Sequence, residues 1–269
     1  MQSVDTKEYD AYYYAHDCGR PYQRDAGWLS FFDKVAEYIV TDLHPQTALD
    51  AGCAMGFLVE KLRERGVEAY GIDISEYAIQ NVHESVRDCC EVGSITVPLS
   101  RRYDLIVSLE VLEHLPVAQA REALVNFCQH TDQVLFSSTP LDYREATHIN
   151  VHPPEYWAEL FARQGFVRDV DYDVSYLTPW AGLFRQSNVA ISDLARDFER
   201  RWWLLQRETT DLRAALVDEH AAARLREREI SDLRAQVARM EAQVTGLKNG
   251  RLMRLLLGVQ NWRQKSRGR

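Results

Sequence analysis

Three side chains that bind protons or metals stand close together in an otherwise apolar stretch, SLEVLEHLP (residues 108–116): Glu110, Glu113 and His114. Acids and histidines are rarely buried without a partner, so this cluster indicates a site. If the stretch forms a helical turn, spacings of three and four residues place the three side chains on one face. Carboxylate oxygens suit Mg²⁺ or Mn²⁺, and imidazole is an acceptable further ligand. A fourth ligand would come from a later loop that carries His148 and His152.

Two other roles remain open for the same cluster. A histidine beside a reacting hydroxyl can act as a general base, which makes His114 and His148 the candidate catalytic residues. The cluster could also be structural, as the polar start of an ordinary helix. Titration of chelator-treated protein with Mg²⁺ or Mn²⁺ separates the metal role from the other two.

A second candidate site combines a small-residue turn with two acids. In LDAGCAMG (49–56), Asp50 precedes Gly52 and Gly56, and the G-x-G-x-x-G pattern of nicotinamide-binding turns is absent. Small residues let a ligand lie against the backbone, and Asp50 would repel a pyrophosphate but attract an ammonium group. Asp73 follows at the end of the next strand, in GIDIS, where a carboxylate can accept both hydroxyls of a ribose. A ligand with a ribose, a cationic amino-acid end and no phosphate fits S-adenosylmethionine; the alternative is that both acids are turn or cap residues.

A parallel sheet would bring these residues together, because open α/β sheets bind ligands outside the carboxyl ends of their strands. Residues 47–190 alternate β-type runs with helical periodicity, after an aromatic segment at 1–46 that contains the helix candidate LSFFDKVAEYIV. The strand candidates are TALDAGC, EAYGIDI, YDLIVSL, QVLFSST and FVRDVDYDV. The helix candidates between them are GFLVEKLRERG, SEYAIQNVHESV, VAQAREALVNFCQ and PPEYWAELFARQG.

Residues 191–247 carry a heptad pattern that predicts a long α-helical coiled coil. The seam positions are Phe198, Trp202, Leu205, Thr209, Leu212, Leu216, Glu219, Ala223, Arg226, Ile230, Leu233, Val237, Met240, Val244 and Leu247. Ile and Val at a with Leu and Met at d favour a parallel homodimer, although a partner protein could use the same seam. Glu219 and Arg226 interrupt the seam at d. An amphipathic helix packed on its own domain is the alternative.

Charge divides the chain unevenly. The net charge is −8, yet residues 248–269 contain only positive charges, so the remainder is more acidic than the total. An acidic body makes nucleic acid an unlikely partner. The basic amphipathic tail, 248–269, could contact an anionic membrane, or it could be a frayed end of the coiled coil. Five cysteines without a C-x-x-C pair, no apolar run of about 20 residues and a polar N-terminus favour the cytoplasm, with the tail at the inner face of the membrane.

Residues 47–175 resemble class I S-adenosylmethionine-dependent methyltransferases through LDAGCAMG and GIDIS. The resemblance implies an α/β fold, with a Rossmann-like, mostly parallel seven-stranded sheet covered by helices on both faces. The family's antiparallel last strand has no good match in the sequence, and LFRQSNVAI is a poor candidate for it. It also implies how cofactor contacts are distributed: Asp50, Ala51, Gly52 and Gly56 around the methionine part, Asp73 on the ribose, Ile74 on the adenine, Ser94 in place of the usual aspartate, and Glu110 beside the sulfonium. N-terminal segments of this family close over the cofactor, so Arg24 could pair with its carboxylate and Tyr13, Tyr22 or Trp28 could cover the site.

The E-x-x-E-H pattern, with a later histidine before P-x-E-Y, is similar to that of ubiquinone-pathway O-methyltransferases and small-RNA 2′-O-methyltransferases. By similarity to the RNA enzymes, Glu110, Glu113, His114 and His148 are the metal ligands. The expected function is O-methylation of a sugar, glycan or similar hydroxylated metabolite, since no N-P-P-[FY] motif of N-methylation follows the fourth strand. The alternatives are an RNA 2′-O-methyltransferase and an inactive methyltransferase-fold scaffold that acts through its coiled coil. A coiled coil with a basic tail is similar in architecture to O-antigen methyltransferases, which work on lipid-linked glycans at the cytoplasmic face.

Overall fold

The computed structural model describes residues 9–250 and 254–259. The chain divides into two compact units, with the boundary between Phe198 and Glu199. The first unit contains the whole sheet, and the second is built on a long helix. Within the described residues, no helix combines the length and the apolar character that a membrane crossing requires.

The first unit is a seven-stranded sheet in the order β3-β2-β1-β4-β5-β7-β6. All its strand pairs are parallel except those made by β7, which runs antiparallel to both β5 and β6. The chain order reverses between β1 and β4, which is where open α/β sheets bind ligands. The strands are β1 Thr47–Ala51, β2 Glu68–Asp73, β3 Cys90–Val92, β4 Leu105–Leu109, β5 Gln133–Ser137, β6 Phe166–Arg168 and β7 Gly182–Gln186.

Alternate residues of the central strands enter two different cores, because successive side chains of a strand point to opposite faces. In β4, Leu105 and Val107 pack in one core and Ile106 packs in the other. Both faces are covered by helices, so these strands are apolar on both sides, as parallel strands generally are. The helices are α1 Ala11–His16, α2 Ala26–Tyr38, α3 Phe57–Glu64, α4 Glu76–Gln80, α5 Val117–His130 and α6 Pro154–Arg163.

The fold class expected from the sequence is confirmed. The runs TALDAGC, EAYGIDI, YDLIVSL and QVLFSST contain β1, β2, β4 and β5, and LFRQ contributes to the antiparallel strand β7. The expectation of one long strand in FVRDVDYDV was wrong, because β6 ends at Arg168. There the Asp169 carboxylate accepts hydrogen bonds from the backbone N–H groups of Asp171 and Tyr172, which turn the chain.

One helix candidate was also too long. SEYAIQNVHESV forms α4 only as far as Gln80, and a 3₁₀ helix follows at Glu84–Cys89. Asn81 stands at the end of α4 with its side-chain amide bonded to the carbonyl oxygen of Tyr77. The short strand β3, next in the chain, was not among the strand candidates.

The heptad region forms one continuous helix, α7, over Ile191–Asn249. In its second half, the side chains from Ile230 to Leu247 along the seam are 49–72% exposed. The coiled coil itself stays a prediction. Of the basic tail, residues 248–250 and 254–259 lie within the described part, and more than half of the segment 248–269, for which membrane contact is predicted, falls outside it.

Candidate active site

The carboxyl ends of β1, β2 and β4 open into one cavity of about 880 Å³. Its lining includes eight of the residues that the sequence predicts to bind cofactor or metal or to act in catalysis. They are Asp50, Gly52, Asp73, Ile74, Ser94, Glu110, His114 and His148. The sheet therefore brings both candidate sites, the small-residue turn and the E-x-x-E-H cluster, into the same cavity.

The small-residue turn after β1 depends on left-handed backbone conformations. Gly52 has φ 91°, and Ala54 adopts a positive φ of 46° despite its side chain. A Cβ on Gly52 would lie 2.4 Å from Cγ2 of Val111, so only glycine fits there without a displacement. The Asp73 carboxylate fixes the turn by accepting a 2.8 Å hydrogen bond from the backbone N–H of Ala54.

Asp50 and Asp73 are buried side by side at the strand ends. Burial, and then the negative charge of Asp73, raises the pKa of Asp50 to about 8. Burial also raises the pKa of Asp73, although the backbone N–H groups of Ser75 and Ala54 favour its charged form. Two buried acids without a cation between them are costly, and a positively charged ligand would relieve that cost.

Two predicted cofactor residues lie elsewhere. Ala51 is fully buried in β1, and a Cβ on Gly56 would contact Cys90 and Val82 in the interior. Among the described residues that line the cavity, neither appears. Gly56 instead stands at the N-terminus of α3 with φ 71°, where it lets the chain enter the helix.

The aromatic segment before β1 covers part of the cavity. Tyr13, Tyr22 and Trp28 all line it, and Tyr22 stacks on Phe57 with ring centroids 5.1 Å apart. Arg24 does not belong to that lining: its guanidinium forms an ion pair with Glu60 of α3. The expectation that Arg24 meets a ligand carboxylate is therefore not supported by the arrangement of the chain, since its partner is already a carboxylate of the protein.

Glu110 and Glu113 do not share a helical face, which corrects the spacing argument. Glu110 has φ 54°, and the 3₁₀ helix begins only at Leu112. The Glu110 carboxylate accepts a 2.9 Å hydrogen bond from the indole N–H of Trp180, which precedes β7. Residues held at such unusual backbone angles often belong to functional sites.

Glu113 is completely buried and holds the loop that follows β5. Its Oε1 accepts a hydrogen bond from the backbone N–H of Thr139, and its carbonyl oxygen accepts from Ile149 and Asn150. Its other carboxylate oxygen has no hydrogen-bond partner among the residues that the structure describes. Burial, and then the charge of Glu110, raises the pKa of Glu113 to about 8.

His114 and His148 meet with ring centroids 4.6 Å apart, and Glu145 lies beside both. Burial and the nearby His148 lower the pKa of His114 to about 4. Burial also disfavours the His148 cation, but the hydrogen bond from its Nε2 to Glu145, together with the Asp142 carbonyl at Nδ1, raises its pKa to about 9. His152, the other histidine of this loop, stacks on Tyr156 outside the described cavity lining.

Glu113, His114 and His148 each offer a ligand atom within 4.8 Å of the others. Asp142, Glu145 and His148 form a second such group, which shares His148. Glu110 belongs to neither of these two groups. Three of the four expected metal ligands are thus brought together, and the fourth is hydrogen-bonded to Trp180 instead.

Sequence reasoning missed Trp180 and Glu145. Trp180 lies in the irregular chain between β6 and β7, whose path no periodicity predicts. Glu145 stands three residues before His148, and that E-x-x-H spacing was the available signal for it.

Comparison with known proteins shows similarity to methyltransferases. Residues 22–169 match the family described as "Methyltransferase domain". The ubiquinone biosynthesis O-methyltransferase of Neisseria meningitidis serogroup C is 27% identical over 121 residues, which are 41% of this chain and 51% of the relative. The magnesium-protoporphyrin O-methyltransferase of Synechocystis is 29% identical over 115 residues, covering 39% of this chain and 50% of the relative. The chain spans about half the length of these curated relatives.

A solved structure supports the fold. The magnesium protoporphyrin IX methyltransferase of Synechocystis PCC 6803, crystallised with bound S-adenosylmethionine, superposes with a TM-score of 0.54 at 20% identity. The alignment covers 69% of this chain and 99% of that one.

The fold is that of the class I methyltransferases. More specifically, because the family match covers more than half of the sequence, this chain belongs to the methyltransferase domain family.

Proposed function

We propose that this protein is an S-adenosylmethionine-dependent methyltransferase that methylates a hydroxyl oxygen of a sugar, glycan or similar hydroxylated metabolite. The observation that carries the proposal is the single cavity in which the paired acids of β1 and β2 meet the histidines of the E-x-x-E-H cluster. One end offers buried negative charge to a cationic cofactor, and the other offers groups that bind a hydroxyl. The two O-methyltransferase relatives support oxygen as the acceptor.

The residues present fit the cofactor. Gly52 is part of the cavity lining, and Asp50 supplies the charge that an ammonium or sulfonium group would neutralise. Asp73 has one oxygen bonded to Ala54 and the other to Ser75, and each oxygen keeps a second lone pair for a ribose hydroxyl. Ile74 and Ser94 would lie near the adenine. When bound, the cofactor would supply an electrophilic methyl group on its sulfonium.

The acceptor class follows from the lining of the cavity. Aromatic rings, including Trp28, Phe31, Phe32 and Trp180, stand with carboxylates and histidines in one enclosure. Flat apolar surfaces beside hydrogen-bonding groups suit a ring that carries hydroxyls. This favours a polyhydroxylated acceptor over an RNA, whose phosphates would meet a chain of net charge −8.

The hydroxyl proton needs an acceptor within the protein, and His114 is the better candidate of the two histidines. Both ring nitrogens of His148 face acceptor oxygens, those of Asp142 and Glu145, so its ring is held as an imidazolium. His114 is held neutral by its burial. His148 would then act as a fixed positive charge beside the reacting oxygen.

A divalent cation at Glu113, His114 and His148 is the second candidate for this end of the cavity. The donor set of one carboxylate and two imidazoles suits Mn²⁺ or Mg²⁺. The buried Glu113 oxygen that has no hydrogen-bond partner among the described residues could bind such a cation. Such an ion would lower the pKa of a bound hydroxyl. Glu110 would join only if its bond to Trp180 were broken.

We also propose that α7 pairs with a second copy of itself as a parallel coiled coil. The exposed seam from Ile230 to Leu247 carries β-branched residues at a and Leu or Met at d, a pattern that fits its own copy. We further propose that the protein is cytoplasmic and that its basic tail, residues 248–269, holds it at the inner face of the membrane. A scaffold without catalytic activity is the alternative.

The function is tested with labelled S-adenosylmethionine and a panel of glycans, free sugars and hydroxylated metabolites, with calorimetry to measure cofactor binding. We expect micromolar cofactor binding and transfer of label to an oxygen of one acceptor class. Asp73→Asn should weaken binding, whereas Asp193→Asn, a partly exposed acid at the start of α7 that pairs with Arg196, should not. Absence of cofactor binding in the wild type would favour the scaffold instead.

A further inference from the structure

A chain of three side chains runs from Glu145 to His114. The Thr147 hydroxyl donates a hydrogen bond to Oε1 of Glu145 at 2.5 Å, and the same hydroxyl oxygen lies 3.0 Å from Nδ1 of His114. All three residues are buried or half-buried, and His114 and Glu145 both line the cavity. The ring of His114 is further confined by Tyr9 and Tyr13, whose rings stand edge-on to it at 5.8 and 6.1 Å.

The donors and acceptors around the Thr147 hydroxyl determine which ring nitrogen of His114 carries the proton. An ionised carboxylate only accepts hydrogen bonds, so the single hydroxyl proton of Thr147 is used toward Glu145. Both oxygens of the Glu145 carboxylate face donors, because Nε2 of His148 lies 3.1 Å from Oε2 and the Thr147 hydroxyl bonds to Oε1. The Thr147 oxygen can therefore only accept from His114, which requires the proton of the neutral ring to be on Nδ1.

We infer that Glu145 and Thr147 are positioning residues that hold His114 as its Nδ1–H tautomer, so that Nε2 keeps the lone pair. The catalytic consequence alone rests on the proposed function. In that function, Nε2 of His114 receives the proton of the hydroxyl that is methylated, or it binds a cation. Orientation of a histidine by a hydrogen bond at its other nitrogen is a general device in active sites. Neither Glu145 nor Thr147 was expected from the sequence to have a role.

The path of the loop does not require this chain of side chains. Backbone bonds from Ile149 and Asn150 to the carbonyl oxygen of Glu113 hold the loop to the 3₁₀ helix, and the Asn150 side chain donates to the carbonyl of Leu112. Replacing Thr147 by valine, which has nearly the same shape, should therefore leave the loop in place. What is lost is the pair of hydrogen bonds made by the hydroxyl, one with the His114 ring and one to Glu145.

The first test reads the tautomer directly. Long-range ¹⁵N–¹H NMR spectra of chelator-treated protein report which ring nitrogen carries the proton, and the His114 signals are assigned by their loss in His114→Gln. We expect the Nδ1–H pattern in the wild type, its loss or averaging in Thr147→Val, and its return in Thr147→Ser. Thr210→Val, an exposed threonine of α7, is the matched control. An Nε2–H pattern in the wild type, or an unchanged pattern in Thr147→Val, would overturn the inference.

The second test reads the consequence for turnover. The bond that orients the His114 ring is a neutral hydrogen bond, whose loss corresponds to about a five- to tenfold effect, so Thr147→Val should lower kcat by at least about that factor. The KM for the cofactor should stay within about twofold, and Thr147→Ser should restore kcat. If the wild type transfers no methyl group, the proposed function fails, while the NMR result still decides the tautomer. A fully active Thr147→Val protein contradicts the positioning role.

Discussion

At the scale of single residues, three buried acids lie in the cavity lining or next to a residue of that lining. Asp50, Asp73 and Glu113 are each less than a tenth exposed, and each has its pKa raised by burial. Desolvation disfavours the charged form of a carboxyl group, and a neighbouring negative charge disfavours it further. In the free protein, ionisation of these buried carboxylates is therefore unfavourable, and a bound cation would make it favourable. Binding of a cationic ligand should thus depend on pH.

The first prediction concerns that pH dependence. Because the pKa of Asp50 is raised to about 8 in the free protein, most of this group is protonated at pH 6 and 7. A cationic cofactor binds the ionised form better, so its affinity should rise with pH up to about 8, by at most about tenfold per pH unit. Calorimetry in buffers of different ionisation enthalpy should show a proton released on binding at pH 7.

Asp50→Asn separates this effect from titration of the ligand. The amide has nearly the same shape but no proton to release, so affinity should be lower and the proton release smaller. Equal pH dependence in Asp50→Asn and wild type would mean that another group, or the cofactor itself, is titrating.

The second prediction tests why Gly52 is glycine. In Gly52→Ala the new Cβ meets Val111 at 2.4 Å, and the positive φ adds about 1–2 kcal/mol of backbone strain. Gly66→Ala is the matched control, since Gly66 has φ 84° with nothing within 4 Å of the added Cβ. Thermal unfolding should show a loss for both, whereas calorimetry should show loss of cofactor affinity only for Gly52→Ala. If Gly52→Ala binds the cofactor as tightly as the wild type does, the turn at Gly52 is not part of the cofactor site.

How far the sequence predicts these residues depends on what positions them. Asp50, Asp73 and Glu110 stand at the carboxyl ends of β1, β2 and β4, and parallel strands end at one edge of a sheet, so strand prediction alone brought them together. The approach of Glu145 and Trp180 depends on irregular chain after β5 and before β7. Such chain has no periodicity, and its course is decided by contacts with the rest of the fold.

At the scale of elements, the same contrast separates the centre of the sheet from its edges. The strands β1, β4 and β5 are apolar on both faces because helices cover both sides, and continuous apolar runs identify them. At the edges, β3 spans only Cys90–Val92 and β6 only Phe166–Arg168. Three residues are too few to show a period, so hydrogen bonding to a neighbouring strand, which depends on distant sequence, defines these two.

The third prediction concerns the bond between two elements, the end of β4 and the segment before β7. Trp180 donates its indole N–H to Glu110, and a hydrogen bond to a charged group contributes about 1.5–3 kcal/mol. Trp180→Phe keeps an aromatic ring but removes the donor, so kcat/KM should fall by about ten- to a hundredfold in a methyl-transfer assay. Trp203→Phe, at an exposed position of α7, is the control and should retain full activity. A fully active Trp180→Phe protein would show that Glu110 needs no such partner.

At the scale of the whole molecule, α7 is the feature that the sheet does not explain. It is a continuous helix of 59 residues, and the seam side chains of its second half are 49–72% exposed. Long isolated helices derive most of their stability from packing of an apolar face. Within the seam, Arg226 forms an ion pair with Glu219 one heptad earlier at 3.2 Å, so both charged d positions have a partner in the same helix. Self-pairing of the chain would cover the apolar positions on either side of this pair.

The fourth prediction is that the full chain is a dimer through this seam. Val237 and Met240 occupy successive a and d positions, so Val237→Asp with Met240→Asp should place charges in the interface and give a monomer in sedimentation experiments. Ala238→Asp, at the adjacent b position on the outer face of the helix, should leave the dimer intact, and near-equal helix content by circular dichroism in the two variants would exclude unfolding as the cause. Orientation is read from Val244→Cys: only a parallel, in-register pair brings this a position beside its own copy, so oxidation should give a covalent dimer under non-reducing conditions. A wild-type monomer would contradict the dimer, whereas a dimer that Val244→Cys fails to cross-link beyond the wild-type level would contradict the parallel orientation.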